Sequence, residues 1–256
     1  EISCSLVGSE MCIRDRQQLK NKFYTTLSVR GDVWKNFDYS SYDVIIYFAA
    51  IVHHPEITDE VLYNRVNAEI PYEMAKLAVE QGVKKFIYIS TMAVVGLAPR
   101  FGNINPINRS TPLYPNTPYG RSKLRGERML SQIDRLCIQL VRLPNVYGQN
   151  CPGTFFHRIE QLSSLKILPI YKNDYKFSLI SVENVAVALN RLLLINESGV
   201  FCPQDTPILS IVERIKKLAE ANGIRQKQIK WMWPIVYLAN KILPKKLTDN
   251  LYGGYY

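Results

Sequence analysis

Apolar positions along the chain follow two alternating patterns. Residues 43–50 (DVIIYFAA), 84–90 (KKFIYIS) and 136–143 (LCIQLVRL) are near-continuous apolar runs of strand length. Runs without in–out alternation are what strands buried on both faces of a parallel sheet require. Elsewhere the period changes. Leu62, Val66, Ile70, Met74, Leu77 and Ala78 recur near i, i+4, which predicts a helix over 56–81 with Gly82 as its stop. Further helices are predicted over about 119–133, 182–195, 209–222 and 231–243. The stretch 97–118 holds five prolines, which excludes a helix there. Strand, helix, strand, helix, strand at this spacing means βαβ units. The fold class is therefore α/β: a doubly wound parallel sheet with helices on both faces. Residues 231–243 (WMWPIVYLANKIL) are apolar enough for a membrane-surface helix, but a core or pocket helix is the commoner use of such a segment.

Composition narrows the class. At 256 residues, with 47% apolar and 21% charged residues, the chain has the make-up of a globular protein. The longest apolar run, Val44 to Val52, is about half of what a membrane span needs. No secretory leader pattern opens the chain. Five cysteines with no CxxC pair argue against a disulfide framework or zinc site, so a reducing, cytoplasmic location is expected. The net charge of +10 serves solubility or attracts anionic ligands such as nucleotide phosphates. Lysines and arginines are scattered, with no basic block or nucleic-acid motif, so no nucleic-acid interface is expected.

The two ends stand apart. Residues 1–16 (EISCSLVGSEMCIRDR) show neither strand alternation nor a capped helix, and SLVGSEMCIRDR resembles translated sequencing-adaptor read-through. They are set aside as non-native. The final LYGGYY stops abruptly, so the chain reads as a fragment cut at both ends.

The chemistry concentrates at Tyr119-Gly120-Arg121-Ser122-Lys123. Spacing i, i+4 at the start of a helix puts a phenol and an ammonium on one face. The cation favours the phenolate, so the Tyr119 pKa is expected to be lowered toward working pH. Alone, YxxxK is a weak signal that many solvated helices carry. Its context strengthens it, because about 28 residues earlier an apolar strand ends at Ser90-Thr91. A hydroxyl at the C-terminal end of a parallel strand lies where open α/β sheets bind ligands. The plain alternative for Thr91 is a hydroxyl that satisfies its own backbone. His53-His54 has no partners to complete a metal site. Cys151 has no histidine partner at a defined spacing and reads as structural.

The order DVIIYFAA, Asn67 on a helix, FIYISTMAVVG, YGRSK, VRLPNVYG and SLISVENVA resembles the extended short-chain dehydrogenase/reductases. Within them it resembles the NAD-dependent epimerase/dehydratase group, near UDP-hexose 4-epimerases, over about residues 24–256. The resemblance implies NAD as cofactor and a nucleotide sugar as substrate. In such enzymes hydride passes from the sugar to NAD, the 4-keto sugar turns over, and hydride returns to the other face. Tyr119 is implied as catalytic base, Lys123 as the residue that holds the nicotinamide ribose, and Thr91 as a hydrogen-bonding partner of the reacting oxygen. Asp32, with Val33 beside it, matches the acidic adenine contact. Phe48, Ala49 and Ala50 match the strand end under the cofactor, and Asn67 its helix partner. Ser90 is a further cofactor contact, Pro144 borders the nicotinamide, and Asn145 faces the sugar-nucleotide diphosphate. Homodimerisation through the helices flanking the site is common among such proteins.

Departures from the pattern carry their own expectations. The Gly-rich βα turn should precede Asp32. It is missing, because the first strand, first helix and second strand are expected upstream of residue 17, and Gly8 is a lone glycine. The polypeptide as written is therefore expected to bind NAD poorly and to be inactive, since the pyrophosphate loses its backbone cradle. Phe177 holds the place of a phosphate-binding arginine, with Lys176 beside it as substitute. Thr91 is followed by Met92-Ala93 rather than Asp-Glu, which disfavours dehydratase chemistry. A reductase with the same three residues, or a non-catalytic sensor or scaffold on the same fold, remains as the alternative. The expected organisation is a partial NAD-binding, Rossmann-like domain over 17–150. A mixed region over 151–256 completes the sheet and binds substrate.

Overall fold

The computed structural model describes residues 4–7, 24–52, 60–97, 104–148, 154–169, 176–229, 233–242 and 254–255. Among these, six strands form one sheet: β1 (Cys4–Val7), β2 (Tyr24–Leu27), β3 (Val44–Tyr47), β4 (Lys85–Thr91), β5 (Cys137–Leu143) and β6 (Gly199–Phe201). Their order is β6-β5-β4-β3-β1-β2, and every pairing is parallel. The helices are α1 (Glu60–Asn64), α2 (Ile70–Glu80), α3 (Pro118–Leu130), α4 (Thr154–Ser163), α5 (Val182–Leu194), α6 (Ile211–Ala221) and α7 (Trp233–Ile242).

The strands are buried on both faces, as their unbroken apolar runs predict. Ile45 and Tyr47 of β3, Phe86 and Tyr88 of β4, and Ile138 and Leu140 of β5 join Ile70, Met74, Ala75 and Ala78 of α2 in one apolar cluster. The alternate positions Ile46, Ile87 and Val141 are buried as well. Prediction and structure differ at the front of this helical stretch. Residues 65–69 form a π-helical turn between α1 and α2. Its extra residue per turn rotates the face that follows. Tyr63 and Asn67 are therefore buried, whereas Leu62 is exposed. Gly82, at φ +80°, follows the end of α2 as expected.

Two expectations about the N-terminal part are corrected. Cys4–Val7 is a strand, paired with β2 on one side and β3 on the other. Four residues are too few for periodicity to separate a strand from an irregular tail, and pairing on both sides decides the matter. Tyr24–Leu27 is likewise a strand, so the second strand lies after residue 17 rather than ahead of it. Gly8 and the connection over 8–23 lie outside the described residues, as do His53, His54 and Cys151.

By its internal contacts the chain divides into two units. The first comprises 1–96, 112–145 and 180–203, and contains the sheet. The second comprises 97–111, 146–179 and 204–256. The second has its own core, in which Ile159, Leu168, Phe177, Leu179, Ile211 and Ile215 are buried together. Its helix α6 opens with a capping box, in which Ser210 and Glu213 each bond the other's backbone N–H. Tyr237, Leu238 and Ile242 of α7 are exposed, so a core placement is not met at those positions. Among the described residues no helix is long and apolar enough to cross a membrane.

Candidate active site

Thr91 ends β4 and caps the short 3-10 turn Met92–Val95. Its Oγ1 accepts the Ala93 N–H at 3.1 Å. That backbone bond is the plain role foreseen for the residue, and it occupies only the oxygen. The Thr91 side chain also acts on the Tyr119 phenol and favours its ionised form. Tyr119 arrives on the first turn of α3, where Thr117 accepts the Gly120 N–H at 3.0 Å and Pro118 fills the first helical position. Gly120 makes the approach feasible. A Cβ there would lie 2.8 Å from the Ala93 carbonyl oxygen, so only glycine lets α3 come this close to the turn after Thr91.

Burial pushes the Tyr119 phenol up to about 12, and the Thr91 side chain opposes that rise. The direction is opposite to the lowering expected from the YxxxK pair. The reason is placement. Lys123, one turn on, is 1% exposed. Its Nζ donates to the Ile89 carbonyl at 2.7 Å and lies 4.6 Å from the centre of the Tyr88 ring. Desolvation of the phenol is the larger influence.

Asn67 is fully buried in the π turn. Its Nδ2 donates to the Ile51 carbonyl at 3.1 Å and to Ser122 Oγ at 2.9 Å, and its Oδ1 accepts the Ile51 N–H at 3.0 Å. Its amide thus ties the segment after β3 to α3, so it acts as a brace rather than as an open contact. Ser90 is turned inward, and its hydroxyl donates to Glu127. A cofactor contact from Ser90 is therefore left to its backbone. Phe48 and Ala49 are buried, and Ala50 is half-buried. Pro144 is buried after β5, and Asn145 beyond it is exposed. Asp32 is exposed and pairs with Lys35 at 2.8 Å, which holds its carboxyl below the usual range. Val33 beside it is exposed.

Lys176 belongs to the second unit. It is exposed and bridged through its backbone to Ser210, whereas Phe177 is buried in that unit's core. Sequence reading missed a cluster in the same unit. Tyr147 Oη donates to Asp205 Oδ2 at 2.5 Å, and the Arg214 guanidinium lies 4.9 Å from the Tyr147 ring centre. It also missed Glu127 and Arg142. Glu127 follows Tyr119 and Lys123 at successive i+4 steps, a signal that could have found it. Among the described residues no cluster of His, Cys, Asp or Glu could hold a metal.

The residues suit a nicotinamide dinucleotide at its nicotinamide end. Ala49 and Ala50 carry only methyl groups at the end of β3, where backbone approach to a ligand needs small side chains. A hydroxyl at the end of β4 and a phenol and an ammonium on the first turns of α3 are carried by elements at the C-terminal edge of a parallel sheet.

Comparison with known proteins gives the family and the fold. The sequence profile of the NAD dependent epimerase/dehydratase family matches residues 8–200. A UDP-glucose 4-epimerase of Vibrio cholerae is 26% identical over 226 residues, 82% of this chain and 66% of that protein. The chain spans less than two thirds of the length of the curated relatives it matches. The fold is shared with a UDP-glucuronic acid 4-epimerase from Bacillus cereus in complex with NAD. Its TM-score is 0.68 and its identity 20%, covering 90% of this chain and 87% of that one. A dTDP-4-dehydrorhamnose reductase from Clostridium acetobutylicum has the same TM-score, 0.68, at 21% identity over 90% of this chain and 83% of its own.

Proposed function

The chain belongs to the NAD dependent epimerase/dehydratase family, and from that premise we propose that the enzyme it represents interconverts a nucleotide sugar and its 4-epimer, in the manner of a UDP-hexose 4-epimerase, the chain as written turning over poorly for want of the Gly-rich turn. The observation that carries the proposal is placement: Thr91 at the end of β4 and Tyr119 in the first turn of α3, one helical turn from Lys123, with the Thr91 side chain lowering the phenol. NAD, when bound, supplies a hydride acceptor that can return what it takes.

The chain's own part is proton transfer and positioning. Thr91 Oγ1 accepts the Ala93 N–H, which leaves its own proton free to be donated. Its side chain favours the phenolate of Tyr119. Lys123 brings positive charge to the same helix face and is the residue that would hold the nicotinamide ribose. Tyr119 as phenolate would take the proton from the sugar 4-hydroxyl and hand it back after the sugar turns. Ala49 and Ala50 would lie under the cofactor, Pro144 beside its nicotinamide, and Asp32 with Val33 at its adenine. Asn145 and Lys176 would serve the sugar nucleotide.

The test is product analysis. The chain, and a version with the family's Gly-rich turn placed ahead of Gln17, would be incubated with NAD and either UDP-galactose or UDP-N-acetylgalactosamine. Products would be resolved by anion-exchange chromatography. A 4-epimer with no net change in NADH supports the reading. Turnover that consumes NADH stoichiometrically replaces it with a reductase. A Tyr119→Phe variant that stays folded and turns over normally would point to a non-catalytic role for the fold.

A further inference from the structure

Lys123 lies inside the protein, where an ammonium is costly to strip of water. Its surroundings are specific. The Nζ donates to the Ile89 carbonyl at 2.7 Å and lies 4.6 Å from the centre of the Tyr88 ring, which is itself fully buried. A carbonyl and an aromatic face both offer negative potential without a negative charge.

The ring is held from two directions. The Tyr88 hydroxyl donates to the Asn67 carbonyl in the π turn. The ring stacks on Tyr47, its register partner on β3, with centroids 6.0 Å apart and planes 26° apart. Tyr47 in turn donates to the Val66 carbonyl at 2.6 Å. Two neighbouring tyrosines thus bond consecutive carbonyls of a turn whose own hydrogen bonding is irregular. Gly126 of α3 closes the arrangement. A Cβ there would lie 2.7 Å from the Tyr88 oxygen and 2.5 Å from the Asn67 carbonyl oxygen, so α3 can seat here only over a glycine.

We infer that Tyr88 is a positioning residue, whose ring, fixed by Asn67 and Tyr47, seats the Lys123 ammonium beside the catalytic tyrosine. The inference rests on the role proposed for Lys123.

The test uses the full chain without cofactor, with its lysines labelled at Cε with carbon-13. The expected spectrum holds one lysine signal displaced upfield by the ring current and assigned by its loss in Lys123→Arg. Tyr88→Phe keeps the ring and should keep the signal. Tyr88→Leu removes the ring, and the displaced signal should return to the bulk position. The midpoint of Lys123 titration should then fall by about one pH unit, a tenfold change within the range of a desolvated cation–π contact. Tyr88→Met is the second ring-less variant should the leucine variant unfold. A displaced signal that survives in a folded ring-less variant overturns the inference. So does an identical lysine titration in the phenylalanine and ring-less variants, since that marks Tyr88 as mere packing. NAD titration of Lys123→Ala separately tests the lysine's proposed role and leaves the seat untouched.

Discussion

Arg142 grips Glu127 with both arms of its guanidinium. Nε donates to Oε1 at 3.0 Å and Nη2 to Oε2 at 2.6 Å. The Glu127 side chain is 3% exposed and that of Arg142 15%. Ser90 donates to the same carboxylate, so β4, β5 and α3 are joined at one buried acid. Removing one partner strands the other charge. Glu127→Ala is expected to cost about 3–5 kcal/mol, the range for breaking a buried pair. Urea unfolding followed by circular dichroism would measure the loss. A change below about 1 kcal/mol would place the pair among the weak surface bridges.

Gly120→Ala would force a Cβ to within 2.8 Å of the Ala93 carbonyl oxygen. The contact is with backbone, so α3 must shift. About 1–3 kcal/mol of stability should be lost. Turnover should fall more than stability does, because the shift separates Thr91 from Tyr119. Equal activity per folded molecule would show that the approach of α3 is not needed for the chemistry.

Lys85 is buried, and its Nζ donates to the carbonyls of Leu192 at 3.1 Å and Leu193 at 2.7 Å. A cation thereby caps the C-terminal end of α5, where the helix dipole favours it. Lys85→Met keeps the aliphatic stem and removes the cap. A loss of about 1–3 kcal/mol is expected, since hydrogen bonds to charged groups are worth that much. Hydrogen exchange should report the loosening first in the last turn of α5. Unchanged protection there would refute the cap.

Alkaline stability offers a different check. The Tyr119 phenol is pushed up to about 12, and burial raises the Tyr39, Tyr47 and Tyr88 phenols too. The unfolded chain releases these protons near pH 10, whereas the folded chain holds them. Stability is therefore fully present below pH 10 and declines as pH rises through the folded values. Each retained proton adds about 1.4 kcal/mol per pH unit to the slope. Tyr119→Phe removes one such contribution between pH 10 and 12. Urea midpoints measured at pH 9, 10.5 and 11.5 should fall less steeply in that variant, and parallel lines would contradict the raised phenol.

Long-range apolar patterning was enough to place the parallel strands at 44–47, 85–91 and 137–143, and helices near 118–130, 182–194 and 211–221. Burial on both sheet faces leaves an unbroken run that a single strand carries in its own residues. The ordered motifs from DVIIYFAA to SLISVENVA were likewise enough for the family. The places of Thr91 and Tyr119 were legible, because a strand end and a helix start are local signals. What the tertiary structure alone decided concerns short elements and partners distant along the chain. Cys4–Val7 became a strand through pairing on both sides. The π turn moved Leu62 out and Tyr63 in. Ser90 and Asn67, read as cofactor contacts, turned to Glu127, Ile51 and Ser122. Lys123 met the Tyr88 ring, and burial raised the phenol that its charge was expected to lower. Desolvation and side-chain contact depend on what lies above a residue in space, which spacing along a sequence does not encode.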